Sequence, residues 1–179
     1  MQKLRDVPAE VARVKTALAL GPDDVVLDIG AGTGEMAIGL AAHCRQVLAF
    51  DVSAAMVEYA REKARRRGGR PVIFAQAGFL TFSCPPAAAD GVVSQLALHH
   101  LPDFWKFVGL RRVYAALKPG GRFFLQDVVL PAAMDDYGAF FAEMARQIGA
   151  AGGEKVVRDT ERSIRDEYAT LDWIMDGLL

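Results

Sequence analysis

Residues 28 to 34 read Asp28-Ile29-Gly30-Ala31-Gly32-Thr33-Gly34, a carboxylate followed by glycines at alternate positions. Glycine has no Cβ, so Gly30, Gly32 and Gly34 can take positive φ and let a ligand lie against bare backbone. An apolar run from Val25 to Ile29 enters this segment, and a helical pattern through Met36 and Leu40 leaves it. That is a buried strand passing to a helix through a tight turn, with the helix N-terminus offering N–H donors. The Asp28 carboxylate would repel a pyrophosphate and suits a ligand carrying an ammonium group. The dinucleotide fingerprint G-x-G-x-x-G would need glycine at 35, where Glu35 stands.

A second acid lies where a nucleoside would need one. Val47-Leu48-Ala49-Phe50 is a short apolar run ending at Asp51, which predicts a buried parallel strand with a carboxylate at its carboxyl edge. Asp51 follows the glycine turn at the interval expected of a ribose-binding acid. Further along, Asp90 to Leu101 reads as another strand and its exit, with His99 and His100 available as general base or as hydrogen-bond donors that organise the loop. Asp127 falls toward the carboxyl end of the following strand, the edge where open α/β sheets bind ligands.

These motifs, in this order, resemble the class I S-adenosylmethionine-dependent methyltransferases over about residues 22 to 130. The resemblance implies that Asp28, Gly30, Ala31, Gly32 and Gly34 surround the methionine part of the cofactor and that Asp51 binds its ribose. It places Val52, Met56, Gly78 and Phe79 around adenine, and Gln95 and Leu96 beside the sulfur. S-adenosylmethionine is the expected cofactor and S-adenosylhomocysteine the product. The family commonly has an acid at the position of Gly78, so adenine must here be held by backbone, by Phe79, or by Val52 and Met56. Methyl transfer is mainly a matter of positioning and water exclusion, with His99 and Asp127 as substrate-side candidates if the acceptor must lose a proton. A cofactor-binding protein without catalysis and an NAD-dependent oxidoreductase are the rival readings.

The elements that must position these groups predict an α/β fold, a Rossmann-like, doubly wound and mostly parallel sheet. One domain is expected over 1–179: an N-terminal helix over 1–21, a cofactor-binding core over 22–130, and a helical lid or C-terminal segment over 131–179. Pro8, Val11, Val14 and Leu18 give the first helix one apolar face, stopped at Gly21-Pro22. Ser53 caps a helix turning Met56, Val57, Ala60 and Ala64 inward. Phe107, Leu110, Tyr114 and Leu117 form the core face of a later helix. Leu117-Lys118-Pro119-Gly120-Gly121 resembles the family's turn into strand five. Tyr137, Phe141, Met144 and Ile148 recur at helical spacing, and Tyr137 or Phe140 could touch substrate. Glu161 with Arg165, and Arg162 with Asp166, are spaced to pair along a further helix.

Five strands are predicted, where the family's fold has seven. The last two form a hairpin beside strand five; here a helix begins at Asp172. The open edge would need a longer chain, a second copy forming a homodimer, or a covering helix. The net charge of −1 offers no field for nucleic acid or an anionic membrane, so a small-molecule substrate is expected. Arg65-Arg66-Arg67 reads as a solvated helix end. Cys44 and Cys84 are too few for a disulfide framework or a zinc cluster; no metal is expected, and the thiols suggest a cytoplasmic protein. No signal peptide or membrane span is expected.

Overall fold

The computed structural model describes residues 6–133 and 136–179. Val25, Val26, Leu27, Asp28 and Ile29 are buried to a residue, so β1 (Val25–Ile29) is the centre of the sheet. It pairs in parallel with β2 (Gln46–Asp51) on one side, which pairs with β3 (Val72–Gln76). On the other side it pairs with β4 (Ala89–Gln95), which pairs with β5 (Leu117–Gln126), giving the order β3-β2-β1-β4-β5. At the amino edge, Asp90 ties three strand starts together. Its carboxylate accepts from the Val25 N–H at 2.8 Å and, with both oxygens, from Lys118 Nζ at 2.7 Å.

Alternate side chains of β1 enter opposite cores, as strand geometry requires. Val26 packs with Val47, Ala49, Phe74 and Val93 beneath α1 (Val7–Leu18), α2 (Glu35–Ala41) and α3 (Ala54–Arg67). Leu27 and Ile29 pack on the other face with Phe50, Phe79, Phe82 and α4 (Asp103–Ala116). Asp6 caps α1, its side chain accepting from the Ala9 N–H at 3.1 Å. The helix ends before the predicted Gly21 because Ala19 takes a left-handed conformation, φ 51°, and returns its N–H to the last turn. Ser53 caps α3 as expected, accepting from the Met56 N–H at 3.3 Å.

Two predicted core faces are corrected. Met56 is 42% exposed, because it lies in the first turn of α3, beside the carboxyl edge of the sheet; Val57 and Ala60 are the buried pair. In α4 the buried face is Lys106, Gly109, Leu110, Val113 and Ala116, while Phe107 is 46% and Tyr114 81% exposed. The helix carries apolar residues on two sides, so spacing alone placed Leu110 correctly and Phe107 and Tyr114 wrongly. Leu117 already belongs to β5.

Beyond β5, two-residue strands β6 (Val129–Leu130) and β7 (Thr170–Leu171) form a separate parallel pair, in addition to the five predicted strands. Between them α5 (Tyr137–Asp166) folds back at Gly153, where φ is 77°, so that Phe141, Met144 and Ile148 face Val157 and Ile164. Arg165 pairs with the adjacent Asp166 at 2.7 Å rather than with Glu161. The last helix, α6 (Asp172–Leu178), buries Met175 in the core on the α4 side. Among the described residues no strand pairs with the outer edge of β5.

Candidate functional site

The order of the sheet reverses at β1, and its carboxyl edge there is the place where such sheets bind ligands. All three turn glycines have positive φ: 83° at Gly30, 52° at Gly32 and 75° at Gly34. The Gly30 and Ala31 N–H groups both donate to the Phe50 carbonyl, at 2.8 and 2.9 Å, which fixes the turn to β2. The glycines then divide by what surrounds them. A Cβ on Gly30 would stand 2.2 Å from that of Ala97, and one on Gly34 2.8 Å from that of Ala60. A Cβ on Gly32 would meet nothing within 4 Å. Gly30 and Gly34 are therefore packing glycines, and Gly32 presents open backbone.

Asp51 is held by the same turn. Its Oδ2 accepts from the Gly32 N–H at 2.7 Å and its Oδ1 from the Ser53 N–H at 2.9 Å. Each carboxylate oxygen retains a lone pair for a further donor, so the acid is oriented and still able to receive hydroxyls. Asp28 is buried in β1.

Around this carboxyl edge the exposed apolar side chains are Val52, Met56 and Leu96. Leu96 has φ 53° with its N–H donated to the Gln126 carbonyl at 2.8 Å. A bulky residue in that region carries strain of about 1–2 kcal/mol. Sequence patterning gives no sign of it. Gln95 Nε2 donates to Gln126 Oε1 at 3.1 Å, an oxygen that also receives Arg13 Nη2 at 2.5 Å.

The absence of an acid at 78 has a steric partner. A Cβ on Gly78 would lie 2.6 Å from Val52 Cγ1, and the Gly78 N–H donates to Thr81 Oγ1 at 2.9 Å. The Phe79 ring is turned into the core against Gly109, so it cannot stack on a base.

His99 and Asp127 are brought together. His99 Nδ1 donates to Asp127 Oδ1 at 2.5 Å, and Asp127 Oδ2 accepts from the Leu98 and His99 N–H groups at 2.7 and 3.2 Å. The hydrogen bond to Asp127 raises the His99 pKa above the ordinary histidine value; burial opposes it, and the Asp127 and Glu167 charges add to it. Burial pushes the Asp127 carboxyl up, but His99 and the Val128 and Leu98 N–H groups outweigh it and hold the carboxyl below the usual range. The other ring nitrogen of His99 lies 3.2 Å from Glu167 Oε2, a neighbour that sequence reasoning missed. Lys106 is fully buried with its ammonium on Asp103 and the Tyr168 carbonyl.

A parallel β3-β2-β1-β4-β5 sheet with a glycine turn at its reversal point and an acid ending β2 defines a Rossmann-like fold. Residues 26–121 match a family model described as a methyltransferase domain. An uncharacterized methyltransferase of Geobacillus kaustophilus is 34% identical over 171 residues, 96% of this chain and 74% of that protein. The crystal structure of the YcgJ protein of Bacillus subtilis superposes with TM-score 0.72 at 23% identity, over 98% of this chain and 66% of that one. Geranyl diphosphate C-methyltransferase of Streptomyces coelicolor, solved with Mg2+, geranyl diphosphate and S-adenosyl-L-homocysteine, gives 0.72 at 15% identity, over 95% and 57%. The chain belongs to the class I S-adenosylmethionine-dependent methyltransferases. That membership displaces the nicotinamide reading.

Proposed function

We propose that this chain binds S-adenosylmethionine across the carboxyl ends of β1, β2 and β4 and passes its methyl group to a small-molecule acceptor. The observation that carries the reading is the Asp51 carboxylate, fixed through both oxygens by Gly32 and Ser53 beside the open backbone of Gly32. In this reading Asp51 receives the two ribose hydroxyls. Asp28, Gly30, Ala31, Gly32 and Gly34 line the methionine part, with the buried Asp28 supplying negative charge toward its ammonium. Val52 and Met56 cover one face of adenine, the backbone at Gly78 and Phe79 meets its edge, and Gln95 and Leu96 flank the sulfonium.

The chemistry asks little of the protein beyond alignment. A bound S-adenosylmethionine would supply an electrophilic methyl group: the acceptor–carbon bond would form as the carbon–sulfur bond breaks, and the positive charge would pass from sulfur to the acceptor, which releases a proton to solvent if it is a hydroxyl or amine. Holding the two reactants in near-attack geometry supplies most of the acceleration. His99 has both ring nitrogens against carboxylates, so its fit is to shaping the β4 exit rather than to removing the acceptor's proton. Asp127, occupied by His99 and three backbone N–H groups, has the same positioning role.

The solved relative with geranyl diphosphate supports a small-molecule acceptor, and the near-neutral charge gives no support to nucleic acid. No helix among the described residues is long and apolar enough to cross a membrane. The free thiols of Cys44 and Cys84 support a cytoplasmic location. The helical pair of α5 would cover the acceptor, and the outer edge of β5 would be covered by a second copy of the chain. The test is incubation with methyl-labelled S-adenosylmethionine and a panel of small hydroxyl, amine and carbon acceptors. Label transfer supports the proposal; tight cofactor binding with no transfer to any acceptor favours a cofactor-binding protein, the reading that Gly78 motivates.

A further inference from the structure

The β4 exit brings together more than His99 and Asp127. His100 Nδ1 lies 3.7 Å from Glu167 Oε1, as His99 Nε2 lies 3.2 Å from Glu167 Oε2, and one ligand atom from each of the three residues falls within 4.8 Å of the others. Ligand atoms bound at about 2.0–2.2 Å to a tetrahedral ion stand about 3.2–3.6 Å apart, so the widest separation here would close by about 1 Å on binding.

The side-chain geometry makes the arrangement specific. Asp127 takes the Nδ1 side of His99, so Nε2 is the nitrogen turned to the Glu167 carboxylate. His100 brings a second imidazole nitrogen to the same carboxylate. Two imidazole nitrogens and one carboxylate thus converge, the donor set of a divalent cation. A histidine whose far N–H is given to a carboxylate is the usual orientation of a metal ligand. Lys106, a side-chain cation close enough to act on His99, directs its ammonium to Asp103 and the Tyr168 carbonyl instead. Two imidazoles and one carboxylate suit a first-row divalent ion, whereas calcium and magnesium take all-oxygen sets.

We propose that His99 Nε2, His100 Nδ1 and Glu167 bind one divalent cation of the zinc class, with Asp127 orienting His99 and a fourth position left for water or another oxygen donor. The site would clasp the segment after α5 to the β4 exit, where the Tyr168 N–H already donates to the His99 carbonyl at 2.8 Å. The proposal does not depend on the reading of the cofactor edge.

The test is calorimetric titration of the untagged 179-residue chain with Zn2+, beside His100→Ala, Glu167→Gln and His43→Ala. His100 and Glu167 are both solvent-accessible, so these variants keep the core intact, and circular dichroism checks this. His43, the remaining histidine, is exposed beside Cys44 and controls for adventitious binding. The expected result is one equivalent of Zn2+, bound at least about tenfold more weakly by His100→Ala and Glu167→Gln and unchanged in His43→Ala. No saturable binding, binding that both variants retain, or binding that depends on His43 would overturn the proposal. The cluster would then be a protonated His99 bridging Asp127 and Glu167.

Discussion

Gly32 donates its N–H to Asp51 at 2.7 Å, and the same glycine has nothing within 4 Å of where a Cβ would stand. One residue of the turn thus orients the acid and leaves its own surface clear. Gly30 and Gly34 do something different, closing the turn against Ala97 and against Ala60 and Phe74.

Alanine substitutions at these glycines should separate folding from binding. Gly32→Ala costs about 1–2 kcal/mol for its left-handed backbone and folds, yet binds S-adenosylmethionine less tightly. Gly30→Ala adds the collision with Ala97 and is the less stable of the two. Denaturant melts and cofactor titrations of both variants check this; equal stabilities would contradict the division.

The corrected face of α4 makes a second contrast. Leu110→Ala should destabilise by about 2–5 kcal/mol, whereas Tyr114→Ser should stay within about 0.5 kcal/mol of the parent. Chemical denaturation measures both, and a large loss at Tyr114 would restore the face that spacing suggested.

Asp90 gives a pH dependence. Burial pushes its carboxyl up, but Lys118 and the Val25 N–H hold it below the ordinary range. A depressed folded pKa contributes stability above the unfolded value, about 3.9, and loses it as pH falls through the folded value. Lys118 is 38% exposed, so solvent screening limits the effect, and Asp90→Asn should cost about 1 kcal/mol at neutral pH. The gap between parent and variant should shrink below pH about 4. Urea melts across that range would show it, and a gap independent of pH would speak against the linkage.

Leu96 supplies a test of strain. Leu96→Gly removes the left-handed penalty at φ 53° and should leave stability unchanged or raise it by up to about 1 kcal/mol. Its affinity for S-adenosylmethionine should fall, because an apolar wall of the proposed sulfur end is gone. A marked loss of stability in thermal melts would mean that the conformation is not strained.

The central strand, the turn and Asp51 were legible because their signals are local: a five-residue apolar run, alternate glycines, and an acid one strand later. The face of α4 was not, since Phe107 and Tyr114 share helical spacing with Leu110 and the sequence does not say which stripe meets the sheet. Buried Lys106 was hidden for a related reason: Asp103 is a local neighbour in α4, but its second acceptor, the Tyr168 carbonyl, arrives only when the segment after α5 returns to α4. Glu167 beside His99 is likewise a product of the tertiary fold. The strained backbone of Leu96 has no compositional signature.

The most direct measurement is calorimetric titration of the folded chain and of Asp51→Ala with S-adenosylmethionine and S-adenosylhomocysteine. Hydrogen bonds to a charged group contribute about 1.5–3 kcal/mol each, so the account predicts saturable binding weakened about tenfold or more by the substitution. Equal affinity in a correctly folded Asp51→Ala, or no binding by the parent chain, would contradict it.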